Sequence, residues 1–153
     1  MYKVVIADSS CLIALCKIGE LEILRALFGT VFIPKGVYEE VVIQGKGRAG
    51  SEEIKDAKWS KVENIKNKLA VKALKINLGE GESEAITLAI EKNADLIILD
   101  DLKARQTAEE LSLTFVGTLA LLQKAESKGL IKNFGKTLDD LRNAGFRFSF
   151  KLK

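Results

Sequence analysis

The chain has 153 residues, of which 47% are hydrophobic and 29% are charged. This composition is typical of globular proteins and excludes an intrinsically disordered chain. This length predicts a single domain over residues 1–153 that buries a core. There is no histidine, which excludes Ser-His-Asp and Cys-His catalysis and most zinc sites. Any chemistry must therefore come from carboxylates, hydroxyls, lysines or a hard metal ion. The net charge of +3 is too small to indicate a nucleic-acid binder by itself.

The sequence shows no membrane or export signal. No apolar run reaches the roughly 18 residues that span a bilayer. The apolar start of the chain is interrupted at once by Asp8, unlike a secretory signal peptide. We therefore expect an intracellular, cytoplasmic protein with no membrane partner.

The two cysteines, Cys11 and Cys16, lie five residues apart in a predicted helix. At about 100° per residue their side chains diverge by about 140°, so a disulfide or a shared metal ion is not expected. We interpret both as small core residues.

The first half of the chain alternates short strands with helices. Residues 2–7 form a β-branched apolar run that predicts a buried parallel strand ending at Asp8. The following helix has Ser9 or Ser10 as its N-cap and Gly19 as its C-cap. The other predicted elements are helices over 9–19 and 20–29, a strand over 30–34, a helix over 34–43 with Pro34 in its first turn, a flexible basic loop over 44–50, and a helical or mixed segment over 51–79.

The second half continues the alternation. Its predicted elements are a helix over 78–93, a strand over 94–101, a helix over 101–112, a strand over 113–117, a helix over 118–129 closed by Gly129, a helix over 137–145, and a half-exposed strand over 146–153. Strands that alternate with helices of this length indicate an α/β fold, a three-layer α/β/α sandwich around a central, mainly parallel sheet.

Two of the predicted strands deliver carboxylates to one edge of this sheet. Asp8 directly follows the first strand, and Asp100 and Asp101 follow the apolar run LIIL. In open parallel sheets ligands bind beyond the carboxyl ends of the strands. Either strand end alone is equally well explained as a helix cap, but the two together indicate a site.

Glutamates at the start of the helix over 78–93 extend this acidic set. A helical wheel places Glu84 on the solvated side and Glu82 on the face formed by Ala85, Ile86, Ala89 and Ile90. Burying Glu82 beside Asp8 and Asp100 is costly unless a cation neutralises the carboxylates, and Mg²⁺ or Mn²⁺ is the natural ion for oxygen ligands. Glu39 and Glu40 lie on the helix after the second strand, and the wheel does not choose between them.

Four segments, spread over nearly the whole chain, together resemble a known family. They are VVIADSSCLIAL, FIPKGVYEEV, GEGESEAITLAIEKNADLIILDD and GTLALLQKAESKGLI. Their order resembles the PIN-domain family of metal-dependent ribonucleases, typified by the VapC-type toxins of toxin–antitoxin pairs. The pattern P-x-x-V-x-x-E of that family selects Glu40 over Glu39. Its spacing favours Glu82 with Asp100, eighteen residues later, although the family usually has Asp at the third position.

This resemblance implies the chemistry of the site. Asp8, Glu40, Glu82 and Asp100 are expected to hold one or two Mg²⁺ or Mn²⁺ ions that drive hydrolysis of RNA phosphodiesters. Asp101 remains an alternative fourth ligand, because the family often shows Thr-x-Asp where this chain has two aspartates. A homodimer and an antitoxin protein partner are also implied.

Four further residues are candidates for contacts to substrate. Ser10 is placed to bond a phosphate or a metal-bound water, and it is equally well explained as a helix cap. Lys46 and Arg48 on the basic loop, with Arg105 after Asp101, are candidate contacts to RNA phosphates.

The C-terminal strand FRFSFKLK is predicted to be an edge strand with one buried face, or alternatively a strand offered to a partner.

The sequence leaves one alternative function open and disfavours two others. A catalytically weak PIN-like module that binds nucleic acid or an antitoxin is the alternative that stays open. A receiver-like phosphoacceptor requires an acid pair at the first strand, which offers only Asp8. A dinucleotide-binding domain requires a third glycine where GEGESE has Glu84.

Overall fold

A computed structural model describes residues 2–147 of the chain. Its centre is a five-stranded parallel sheet with the strand order β3-β2-β1-β4-β5. The strands are β1 (Val5–Ala7), β2 (Val31–Pro34), β3 (Ser60–Glu63), β4 (Leu96–Ile98) and β5 (Phe115–Val116). The predicted α/β fold with a parallel central sheet is confirmed.

Helices lie between and after these strands. They are α1 (Ser9–Lys17), α2 (Glu22–Phe28), α3 (Lys35–Tyr38), α4 (Ser51–Lys55), α5 (Lys68–Leu74), α6 (Glu80–Glu91), α7 (Leu102–Glu110), α8 (Thr118–Ser127) and α9 (Phe134–Asn143), with a π-helical turn over Glu39–Gln44 that continues α3. No helix among residues 2–147 combines the length and apolarity needed to cross a bilayer.

Alternation along β1 divides the core into two layers. Val5 and Ala7 pack on one side of the sheet with buried residues of α1 and α8, whereas Ile6 packs on the other side with α6 and α7. Because both faces are covered, all three residues of β1 are buried and apolar. This is the three-layer arrangement that the sequence predicted.

Strand register determines which side chains meet at the carboxyl edge. Ala7 lies opposite Ile98 in the parallel pairing of β1 with β4. The Asp8 amide N–H also donates to the Ile98 carbonyl at 3.4 Å. Asp8 and Asp100 therefore leave the sheet at the same edge, from neighbouring strands.

The ends of three predicted elements differ from the structure. Asp8, and neither Ser9 nor Ser10, is the N-cap of α1, because its extended backbone turns its carboxylate onto the Ser9 N–H. Gly19 lies one residue past the C-cap Ile18, in the left-handed conformation at φ +72°. Pro34 ends β2 and caps α3, so it precedes the first helical turn.

The segment over 51–79 is mixed, and its strand β3 lacks a hydrophobic pattern. Its single apolar residue, Val62, is 44% exposed, because β3 is an edge strand held by backbone pairing to β2. The last helix begins earlier than predicted, at Phe134, since the Asn133 carboxamide accepts from the Lys136 N–H. Residues 146 and 147 are not in a strand, and the rest of the predicted C-terminal strand lies outside the described residues.

Burial of apolar side chains on both faces of the sheet is expected to supply most of the stability of the fold. Ile6→Ala and Ile33→Ala each remove a fully buried side chain and are expected to lower the free energy of unfolding by roughly 2–5 kcal/mol. Ile76→Ala is the matched control, because Ile76 is 81% exposed and should change stability by less than about 0.5 kcal/mol. Urea denaturation measures all three, and an equal effect of the three substitutions would contradict the assigned core.

Candidate active site

An open cavity of about 500 Å³ lies beyond the carboxyl end of β1. We call it the acidic cavity, and its walls come from the start of α1, the α3 segment with its π-helical turn, and the start of α6. Its lining residues are Asp8, Ser9, Ser10, Gly36, Glu40, Gln44, Gly79, Glu80, Gly81 and Glu82. Three of the predicted acids, Asp8, Glu40 and Glu82, thus line one cavity.

Asp8 is the buried carboxylate of this cavity, with only 3% of its surface exposed. Its Oδ1 accepts from the Ser9 N–H at 2.7 Å. The pKa of Asp8 is raised to about 7; burial is the largest cause, the Ser9 N–H lowers the pKa, and the negative charges of Glu82, Glu40 and Asp100 raise it. The side chain is therefore poised to change its charge near neutral pH.

Glu40 faces Asp8 across Gly81. A Cβ placed on Gly81 would lie 3.1 Å from Asp8 Oδ1 and 3.1 Å from Glu40 Oε1, so the two carboxylate oxygens are separated by at most twice that distance. Glycine at position 81 keeps the space between the two carboxylates open. Glu39 lines a different, neighbouring cavity, so the geometry brings Glu40 and not Glu39 to Asp8.

Glu82 lies in the first turn of α6 and is half-buried. Its Oε1 accepts from the Gly79 N–H at 2.9 Å and so caps its own helix. Burial raises the pKa of Glu82, the Gly79 N–H lowers it, and the charges of Asp101 and Glu40 raise it. The Glu82 carboxylate therefore lies near the other acids of the cavity, but one of its oxygens is already hydrogen-bonded to the start of α6.

The prediction that Glu84 is solvated is wrong. Glu84 is half-buried and its Oε1 accepts from the Gly36 N–H at 3.0 Å, so it ties α6 to α3. A Cβ on Gly36 would overlap this carboxylate. Ile90, predicted on the buried face, is 50% exposed, because the buried part of α6 lies around Ala85 and Ala89 and ends before Ile90.

Asp100 is fixed by three hydrogen bonds. Its Oδ1 accepts from the Thr118 N–H at 2.7 Å, while its Oδ2 accepts from the Thr118 hydroxyl at 2.6 Å and the Ser10 hydroxyl at 3.1 Å. Ser10 therefore bonds a carboxylate and not the helix start. Thr118 is fully buried and was missed as a site residue; the sequence signal for it was its place at the start of the segment GTLALLQKAESKGLI.

Asp101 has a different environment from Asp100. It is exposed, is the N-cap of α7, and its Oδ2 accepts from the Ala104 N–H at 2.9 Å. Asp100 contacts the α1 side chain Ser10, whereas Asp101 contributes its charge near Glu82. Asp100 is thus the aspartate of the pair that is bonded to the wall of the acidic cavity.

The predicted basic contacts lie outside the acidic cavity. Arg105 donates through Nε to the Leu99 carbonyl at 2.8 Å, and its Nη2 is 3.7 Å from Asp100 Oδ1. A Cβ on Gly117 would overlap its guanidinium, so glycine there makes room for it. Lys46 and Arg48 are exposed on the turns after the π-helical turn, and neither lines this cavity.

The donor set suits a hard divalent cation. Every candidate ligand is a carboxylate or hydroxyl oxygen, the atom type that Mg²⁺ and Mn²⁺ prefer. Within residues 2–147 no three acidic or thiol side chains converge closely enough to enclose an ion by themselves. Mg²⁺ commonly keeps several waters and takes only one or two carboxylates. Asp8 and Glu40, which face each other across the gap at Gly81, fit that mode of binding.

Comparison with known proteins gives the family. The family model described as "DUF3368: PIN domain" matches residues 4–153, nearly the whole chain. This chain belongs to the PIN-domain family. The PIN domain is a nuclease fold family, and the resemblance of the sequence motifs is thereby confirmed.

A solved structure shares the PIN fold. It is a PilT N-terminus domain protein, SSO1118, from the hyperthermophilic archaeon Sulfolobus solfataricus P2. The similarity has a TM-score of 0.59 at 23% identity and covers 80% of this chain and 92% of that chain. Comparison with curated proteins found no match.

The buried carboxyl of Asp8 predicts a pH dependence of stability in EDTA. Folding raises its pKa from 3.8 to about 7, so the folded PIN domain retains a proton that the unfolded chain releases. The free energy of unfolding therefore falls as pH rises from about 4 to about 7. Asp8→Asn is expected to be the more stable protein at pH 8, by up to about 4 kcal/mol, and equally stable near pH 4.

Urea denaturation at pH 4, 6 and 8 measures this difference. Asp140→Asn, which removes an exposed carboxylate on α9, is the matched control and should show no such gain. Equal stability of wild type and Asp8→Asn at pH 8 would show that burial of the ionised Asp8 carboxylate does not lower the free energy of unfolding.

Proposed function

We propose that this PIN domain is a metal-dependent ribonuclease that hydrolyses RNA phosphodiesters in the acidic cavity. The observation that carries the proposal is the buried Asp8 carboxylate, which faces Glu40 across Gly81 and is surrounded by negative charge. Such an arrangement is costly unless a cation neutralises it. Membership of a nuclease fold family supports the same conclusion.

The residues of the site have different proposed roles. Asp8 and Glu40 are the proposed ligands of Mg²⁺ or Mn²⁺, with Glu82 and Asp100 beside them. When bound, the ion lowers the pKa of a coordinated water and offsets the charge that builds on the phosphate. Thr118 and Ser10 are positioning residues, because their hydrogen bonds fix both oxygens of Asp100. Hydrolysis forms a P–O bond to the water oxygen and breaks the P–O bond to the departing oxygen, which takes up one of the two protons of that water; the other proton stays on the product phosphate or passes to solvent.

Loss of either proposed metal ligand is expected to lower RNA cleavage. Asp8→Asn and Glu40→Gln are expected to lower kcat for Mn²⁺-dependent cleavage of single-stranded RNA by roughly 100-fold or more, because each removes a charge that holds the ion. Glu39→Gln is the matched neighbour and should keep most of kcat at saturating RNA, because Glu39 faces another cavity. Gel-based cleavage assays with purified protein measure this, and equal activity of Asp8→Asn and wild type would refute the assigned site.

Binding of the ion is expected to stabilise the folded protein. Mn²⁺ at 100 times its Kd should stabilise wild type by about 2.7 kcal/mol, because it binds only the folded protein. At the same Mn²⁺ concentration Asp8→Asn and Glu40→Gln should gain much less, whereas Glu39→Gln should respond like wild type. Thermal unfolding with and without Mn²⁺ at pH 7.5 measures the effect. A similar rise in Tm for Asp8→Asn would place the ion elsewhere.

One observation favours a second function, a binding module with little catalysis. The carboxylates of Glu82, Asp100 and Asp101 each accept hydrogen bonds from the protein itself. Those oxygens must share or give up these bonds to reach an ion. A module of this kind would bind RNA or an antitoxin protein yet show no Mn²⁺-dependent cleavage, so the cleavage assay separates the two functions.

We further propose, by resemblance to VapC-type toxins, that the protein is the toxin of a toxin–antitoxin pair. On this proposal it acts in the cytoplasm, forms a homodimer and is inhibited by an antitoxin protein. The support is the agreement of its motifs with that group.

A further inference from the structure

One hydrogen bond joins two of the helical segments that form the walls of the acidic cavity. Glu84 of α6 accepts through Oε1 from the Gly36 N–H of α3 at 3.0 Å, across 48 positions of the chain. In the described part of the chain, no other hydrogen bond connects α6 to α3 or to the π-helical turn that continues α3. Apart from side-chain packing, this bond alone fixes the two segments relative to each other.

The bond supplies a helix cap that α3 lacks. The N-cap of α3 is Pro34, which makes no side-chain hydrogen bond to the helix start. The first N–H groups of a helix have no partner within the helix, and a side-chain oxygen can satisfy one of them. Gly36 is the second residue of α3, so its N–H is one of these groups. Glu84 therefore caps α3 from a different helix.

Glycine at position 36 makes room for this contact. The φ angle of Gly36 is not positive, so its backbone conformation does not require glycine. A Cβ built on Gly36 would overlap the Glu84 carboxylate, which supplies the three atoms nearest to it. The missing side chain thus serves the close approach of Glu84.

The bond lies within one helical turn of the gap between the two proposed metal ligands. Gly36 precedes Glu40 by four residues, and Gly81 precedes Glu84 by three. Gly81 is the residue at which a Cβ would lie 3.1 Å from both Asp8 Oδ1 and Glu40 Oε1. Asp8 is fixed separately, because it directly follows β1 and its N–H bonds β4. A shift of α3 relative to α6 would therefore move Glu40 and leave Asp8 in place.

We propose that Glu84 is a positioning residue of the metal site: its carboxylate holds the segment that carries Glu40 opposite Asp8, where both can contact one divalent ion. Glu84 acts through Gly36 and does not itself contact the ion, because it bonds α3 and lines the neighbouring cavity. This inference rests on the proposed ribonuclease function, because it takes Asp8 and Glu40 as the ligands.

Mn²⁺ binding to RNA-free protein, measured by isothermal titration calorimetry at pH 7.5, tests this role. Glu84→Leu is expected to raise the Kd for Mn²⁺ by roughly 10-fold, the low end of the loss seen when a group that orients a metal ligand is removed. Glu84→Gln should bind Mn²⁺ nearly as tightly as wild type, because its amide oxygen can still accept from the Gly36 N–H.

Glu91→Leu is the matched control. Glu91 is another carboxylate of α6 that accepts from backbone N–H groups of a distant segment, those of Lys66 and Asn67. It lies outside the acidic cavity, so its loss removes the same charge from the same helix and should leave the Kd for Mn²⁺ unchanged.

A pair of alanine variants separates this bond from a general loss of packing. Gly36→Ala alone places a methyl group against the Glu84 carboxylate, so it should lower Tm and raise the Kd for Mn²⁺. In a Glu84→Ala background that space is free, and Gly36→Ala should raise Tm, because alanine stabilises a helix relative to glycine. Two residues that act independently would not show this reversal of sign. Thermal unfolding in EDTA measures it.

Three results would overturn the inference. One is a Kd for Mn²⁺ that is the same in Glu84→Leu as in wild type and Glu91→Leu. Another is a loss of affinity as large in Glu84→Gln as in Glu84→Leu, since the charge and not the hydrogen bond would then matter. The third is an equal drop in Tm from Gly36→Ala in the wild-type and Glu84→Ala backgrounds.

Failure of this inference can be told apart from failure of the proposed function. In ¹H–¹⁵N NMR spectra recorded in EDTA, Glu84→Leu should speed hydrogen exchange of the Gly36 amide and shift the Glu40 signal. That result, together with no Mn²⁺-dependent RNA cleavage by wild type, would support the positioning of Glu40 and refute the nuclease. Cleavage abolished by Asp8→Asn, together with wild-type Mn²⁺ affinity in Glu84→Leu, would support the nuclease and refute the role of Glu84.

Discussion

The cost of burying the Asp8 carboxylate is the constraint on which the site depends. β1 is apolar and buried along its whole length, and the next residue is a carboxylate with almost no exposed surface. One N–H, from Ser9, compensates for its desolvation, while three other acids add repulsion. The fold therefore holds a group whose charged form is unfavourable, and it does so at the edge where parallel sheets bind ligands.

The acids near Asp8 differ in how many hydrogen-bond donors and positive charges of the protein offset their negative charge. Asp100 has three hydrogen-bond donors and a nearby guanidinium, and it links β4 to α8 and α1 through Thr118 and Ser10. Glu82 has one donor at the start of its own helix. Asp8 also has one donor, the Ser9 N–H, but it is more deeply buried than Glu82, and the exposed Glu40 approaches it across Gly81. This difference is the physical reason to place a cation between those two rather than at Asp100.

The hydrophobic pattern of the sequence was sufficient to place a side chain that directly follows a buried strand. Asp8 and Asp100 could be assigned to one edge because β-branched runs predict strands, and parallel strands end together. It failed for Glu84, which bonds Gly36, a residue 48 positions away. It also failed to choose between Glu39 and Glu40, because they lie in a π-helical turn whose period differs from the 3.6 residues of the wheel. The exposed edge strand β3 had no hydrophobic pattern to detect.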